Sequence, residues 1–192
     1  MTICRDAVIE GQRIILDAWR GGSNCRKNAL YVAQYLFSKE AQILNPFSQL
    51  AVNKNDNVVE LDKSNYDPES GNGTALYQTV YQLLQDMAAN IAFALNKQIK
   101  TKFTMTLMTD GDDTEGGTAP EDIRMIIQDL KVKKHLARST VIGITHPRFT
   151  PAMVNAIKET LGFDEAILCS QNASEIRDAC DQASRSAMQA QV

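Results

Sequence analysis

From Ala29 to its end the chain alternates apolar runs of strand length with stretches whose apolar residues recur at helical spacing, and few folds accommodate that order. "STVIGIT" at 139–145 is a continuous apolar run, the pattern of a strand covered on both faces. Before it, Leu76, Val80, Leu83, Leu84, Met87, Ile91 and Leu95 form a stripe at i, i+4, i+7 that predicts a long amphipathic helix, and "FTMTLMT" at 103–109 predicts a strand. Between these strands Thr118 and Glu121 read as a capping box, with Pro120 early in the helix and Ile123, Ile126, Ile127 and Leu130 as its buried face. A further helix opens at Thr150-Pro151 and runs through Met153, Val154, Ile157 and Leu161 to Gly162. "AILC" at 166–169 and a helix opened by Asn172, with Glu175 three residues on, follow.

Upstream, "ALYVAQYLFS" from Ala29 to Ser38 reads as a strand, with a second short one over Ala41 to Leu44. Residues 48–73 read as a long polar loop in which only Val58, Val59 and Leu61 hint at another strand. An N-terminal helix carries Ile3, Ala7, Ile14 and Ala18 beside Cys4, Val8, Ile15 and Trp19, and Gly21-Gly22 stops it. The expected architecture is one α/β domain over 1–192, a doubly wound, mostly parallel sheet with helices on both faces.

A net charge of -3 argues against nucleic acid, which needs a basic face to release counterions. The basic residues Lys131, Lys133, Lys134, His135 and Arg138 read as a solvated helix end. The four cysteines Cys4, Cys25, Cys169 and Cys180 form no C-x-x-C pair, which suggests neither a zinc site nor a disulfide framework, and Cys4, Cys169 and Cys180, on apolar stretches, read as small core residues of a reducing, cytoplasmic compartment. No stretch reaches membrane-span length, and the first residues lack the layout of a signal peptide, so no membrane role is expected.

In open α/β sheets ligands gather at the carboxyl ends of strands. Asp110 follows one strand and His146 another, while the glycine-flanked Thr74 opens the long helix, so the three are expected to share one edge. "SGNGTALYQTVYQLL" followed by "FTMTLMTDGDDTEGG" resembles the second and third elements of the metal-ion-dependent adhesion site of von Willebrand factor A-type domains. The resemblance implies a Rossmann-like fold, and it implies that Thr74 and Asp110 are ligands of Mg2+ or Mn2+. It also implies binding to a protein partner that presents an acidic side chain, with no bond broken.

The family's Asp-x-Ser-x-Ser, carried on a first strand before the first helix, has no counterpart in this sequence, which opens at Met1-Thr2 inside the turn into that helix. The resemblance therefore predicts either a truncated form or a derived member with a partial site that holds metal weakly or not at all. The family's first strand lies mid-sheet, so the expected consequence is lower stability, a repaired sheet or a borrowed strand.

Plainer readings stand beside these. Thr74 also suits a helix N-cap, Asp110-Gly111 a turn, His146 a loop, and Asp112, Asp113 and Glu115 solvated acids near a helix start. "DGDDT" also resembles the strand end of haloacid dehalogenase-like phosphohydrolases. That alternative implies Asp110 as nucleophile, Asp112 as acid and base, and Thr145 at a phosphate, with magnesium. An EF-hand-like calcium loop through Asp110, Asp112 and Glu121 fails at Glu115, where its sharp turn needs glycine.

Overall fold

The computed structural model describes residues 2–27, 29–67 and 73–190. Helix α1 (Thr2–Arg20) and a single turn α2 (Ser23–Arg26) lead into strands β1 (Tyr31–Phe37) and β2 (Ala41–Gln49). Helix α3 (Leu76–Asn96) follows, then β3 (Phe103–Thr109), α4 (Pro120–Val132), β4 (Leu136–Thr145), α5 (Pro151–Leu161), β5 (Glu165–Ser170) and α6 (Ala173–Ala190). The strands form two sheets: a parallel one in the order β3-β4-β5, and an antiparallel hairpin of β1 and β2. The fold is thus mixed α/β, with a hairpin that pairs with no other described strand.

Strand β4 explains the layering. Its successive side chains point to opposite faces, so Val141 joins a core with α3, α4 and α5, through Leu76, Leu84, Ile123, Ile127, Ile157 and Leu161. Ile142 and Ile144 join a second core with α1 and α6, through Ala7, Val8, Ile176, Ala179 and Cys180. Each fully buried leucine or isoleucine in these cores contributes about 1.5–3 kcal/mol of transfer free energy. Gly143 brings the chain close to α5, because a Cβ there would meet Val154 Cγ1 at 2.6 Å. Gly162, at φ 74, ends α5 in the left-handed region as its sequence position predicts.

The hairpin departs from the short second strand expected at 41–44, since β2 runs nine residues through Asn45-Pro46. The ladder skips residues on the β2 side there, which fits a proline that has no N–H to donate. The hint of a strand at Val58, Val59 and Leu61 is not realised; side chains hold that segment instead. Asn45 Nδ2 donates to Val59 O (2.8 Å) and its Oδ1 accepts from Val59 N (2.7 Å), while Gln12 Oε1 accepts from Leu61 N (3.1 Å). Buried Arg20 secures the same loop to α1 through Glu60 (2.7 Å) and Asp56 (3.5 Å).

The capping box at Thr118 and Glu121 also fails, because the residue preceding α4 is Ala119 and no side chain caps it. Nor is the basic segment simply solvated. Lys131 Nζ donates to Gly162 O and Asp164 Oδ1 (both 2.7 Å), and Arg138 donates to Glu165 (2.8 Å), which ties α4 and β4 to the start of β5. Among the described residues no helix is long and apolar enough to cross a membrane, and no disulfide joins Cys25, Cys169 and Cys180.

Candidate functional site

The carboxyl end of β3 is a turn held by its own last residue. Buried Thr109 donates its hydroxyl hydrogen to Gly111 O (2.7 Å), and the same oxygen accepts from Gly111 N (3.2 Å), which folds Asp110-Gly111 back over the strand end. His146, directly after β4, reaches across to this turn. Its Nδ1 accepts from Arg148 N (3.2 Å), so Nε2 carries the ring proton and donates to Asp110 O (2.9 Å). The histidine thus pins the ends of two neighbouring strands together through the backbone of Asp110, a role its place in a loop did not announce.

Thr74 arrives at the same spot from the other side. Its N–H donates to Thr114 Oγ1 (2.8 Å) and its carbonyl accepts from Thr114 N (2.9 Å), so Thr114 brackets the peptide groups of Thr74. The side chain of Thr74 then faces the turn, with Oγ1 only 3.4 Å from where a Cβ on Gly111 would lie. Next along, Ala75 N donates to Ser38 O at the end of β1 (2.6 Å). The residue before, Gly73, lies directly against the Glu115 carboxylate, and any side chain there would overlap it. Thr74, the Asp110-Gly111 turn and His146 therefore meet at one edge of the fold, at the carboxyl ends of β3 and β4.

Two residues play parts that the sequence reading assigned otherwise. Thr74 is not an N-cap: the residue preceding α3 is Ala75, and no side chain of its own segment caps this helix. Asp113 fills the role from across the loop, its Oδ1 accepting from Tyr77 N (3.0 Å) while Oδ2 accepts from Gly116 N (2.9 Å). A carboxylate at a helix N-terminus satisfies an orphan N–H and meets the positive end of the dipole. Asp113 is thus a structural acid, not a solvated one. Asp112 is exposed and does little beyond accepting from Asp113 N (2.9 Å). No local signal marks Asp113 as a cap, because the Tyr77 amide it serves lies 36 residues earlier.

The local field is negative. Burial pushes the Tyr77 hydroxyl above its usual range, and the charges of Asp112, Asp113 and Glu121 push it further in the same direction. Such a field favours a cation over an anion. The side chains that the resemblance names, the hydroxyl of Thr74 and the carboxylate of Asp110, suit a hard ion in kind, but they are few. Among the described residues no three His, Cys, Asp or Glu side chains converge as a metal-binding group. Any Mg2+ or Mn2+ at Thr74 and Asp110 would keep most of its shell as water and bind weakly. No protein-family model matches the chain, and no curated protein matches it.

Proposed function

We propose that this chain is a von Willebrand factor A-type protein-binding module of the cytoplasm, with a doubly wound, Rossmann-like arrangement and a reduced adhesion site. The observation that carries the proposal is the approach of the Thr74 hydroxyl to the Asp110-Gly111 turn, in an acidic field at the carboxyl ends of parallel strands. The doubly wound arrangement draws support from the two cores, since α4 and α5, which connect β3, β4 and β5, pack on one face while α1 and α6 pack on the other. A bound Mg2+ or Mn2+ would supply a Lewis-acidic position for an acidic side chain of the partner. The protein's part is to hold Thr74 in place through Thr114, and the Asp110 backbone through Thr109 and His146.

Titration calorimetry with magnesium and with manganese tests this reading. The expected result is weak binding that disappears in Asp110→Ala. Affinity unchanged in that variant would refute the assignment. Turnover of an aryl phosphate, abolished by Asp110→Asn, would replace it with the phosphohydrolase chemistry of Asp110 and Asp112.

A further inference from the structure

The amino ends of β3 and β4 lie at the pole of the fold opposite the Asp110-Gly111 turn, about 20 Å away by the length of β3. Helices α3 and α4 both deliver the chain to that pole, each running into the strand that follows it. Phe103 N donates to His135 O (2.7 Å) where the two loops come side by side, and Ile91 and Leu130, near the ends of the two helices, share one core.

Both helices end in the same way. Gln98 N donates to Leu95 O (2.9 Å) and Ile99 N to Ala94 O (2.8 Å), while Lys134 N donates to Lys131 O (2.9 Å) and His135 N to Leu130 O (2.9 Å). Each pair of bonds is a Schellman closure, whose left-handed residue is usually glycine. Here it is Gln98 at φ 57 and Lys134 at φ 60, both exposed, so each tight turn presents a long polar side chain.

The two loops concentrate positive charge in a chain whose net charge is -3. Residues 96–102 and 131–138 hold six lysines and one arginine, with no aspartate or glutamate. Carboxylates from elsewhere reach Lys131, Lys133 and Arg138, through Asp164, Asp129 and Glu165. Lys97, Lys100, Lys102 and Lys134 are exposed and form no ion pair among the described residues. The helix dipole accounts for cations in the last turns of α3 and α4. It does not account for Lys100 and Lys102, which lie past the end of α3, or for the apolar side chains that stand among the lysines. Leu95 is 56% exposed, Ile99 54% and Val132 81%.

Three properties suit this pole to a lipid surface. Its free cations are all lysine, a point charge that needs no fixed partner geometry, whereas the bidentate pairing that favours arginine on a protein carboxylate or a nucleic-acid phosphate is absent; the one arginine is committed to Glu165. The apolar side chains stand singly between lysines, so each can enter below the headgroups while the lysine stems lie along the boundary with their ammonium groups in water. A second copy of the chain offers no match, because the acidic turn at 110–116, the charge complement, contains no apolar side chain to receive Ile99 or Val132.

We propose that this pole adsorbs to an anionic lipid surface, with Lys97, Lys100, Lys102 and Lys134 at the headgroups and Ile99 and Val132 entering the interface. No spanning helix is involved. Adsorption in this pose turns the Asp110 rim away from the bilayer, toward soluble partners. The proposal goes beyond the adhesion-site reading and stands whether or not a cation binds near Thr74.

Sedimentation of the full chain with phosphatidylcholine vesicles containing about one-third phosphatidylserine tests it, beside vesicles of phosphatidylcholine alone. EDTA is present throughout, so that no cation at Thr74 bridges protein and lipid. The phosphatidylserine vesicles should bind at least about tenfold more tightly, and the difference should shrink as salt rises from about 0.1 M to about 0.5 M. Each lysine near such a surface contributes about fivefold, so Lys100→Gln combined with Lys134→Gln should weaken binding about 25-fold. Ile99→Ser combined with Val132→Ser keeps the charge and should weaken it at least about tenfold. All four positions are exposed, and circular dichroism melts of the two double variants serve as the control for folding. The proposal is overturned if the chain binds neither kind of vesicle or both alike, or if either double variant binds within about twofold of the parent. It is also overturned if polyglutamate or a DNA duplex is bound through these lysines and the vesicles are not, which would assign the pole to an acidic protein or to nucleic acid.

Discussion

Asp113 is the best place to test whether the acidic turn is built or merely solvated. Its carboxylate accepts from Tyr77 N at 3.0 Å and from Gly116 N at 2.9 Å, and α3 has no cap of its own and no acid in its first turn. Losing a helix N-cap costs about 1 kcal/mol. Losing a negative charge at the positive end of the dipole adds about 0.3–1 kcal/mol, and releasing the loop amide of Gly116 adds a comparable amount. Asp113→Ala should therefore destabilise by about 2 kcal/mol, or about 4–8 °C in melting temperature for a chain of this size. Asp113→Asn keeps one acceptor but loses the charge and cannot accept at both positions, so it should fall about halfway. Asp112→Ala, which removes an exposed acid, should shift stability by less than about 0.5 kcal/mol. Thermal melts followed by circular dichroism, with exchange of the Tyr77 amide as a local readout, would measure all three. A variant Asp113→Ala melting within about 1 °C of the parent, or one no worse than Asp112→Ala, would refute the capping argument.

Three further outcomes follow from the packing and the charges. Gly143→Ala should cost about 1–3 kcal/mol by urea denaturation, because the new methyl overlaps Val154, and adding Val154→Ala should recover about 1 kcal/mol of the combined loss. Burial works to raise the Asp164 carboxyl, but donors at Lys131 Nζ, Ser139 N and Ser139 Oγ outweigh it and hold the group below the usual carboxylate range. The unfolded chain therefore takes up this proton first, so the stabilisation is complete above about pH 4, fades as pH falls through the lower native value, and should be reduced in Asp164→Asn, as urea midpoints from pH 7 to 3 would show. Arg20→Ala leaves the buried Asp56 carboxylate without its cation and should cost about 3 kcal/mol in the same assay, whereas a loss below about 1 kcal/mol would mean that the loop at 56–60 does not depend on this pairing.

What the residues alone determined is whatever is written in local periodicity. The stripe from Leu76 to Leu95, apart from its last residue Leu95, which is exposed, the run 103–109, the doubly covered strand through 139–145 and the glycine that ends α5 all lie where their spacing put them, since 3.6- and 2-residue repeats need only near neighbours to be read. The meeting of Thr74, Asp110 and His146 at one edge was also legible, because strand ends in a sheet of parallel neighbours share a rim. Tertiary structure decided the rest. Asp113 caps a helix through the amide of Tyr77, 36 residues before it, Asn45 and Gln12 hold the segment at 59–61 that would otherwise read as a strand, and β1 and β3 contribute to the same cores without sharing a ladder. Each of these turns on which orphan N–H or C=O finds which partner across the chain. That pairing is settled by long-range geometry, and no window of a few residues contains it.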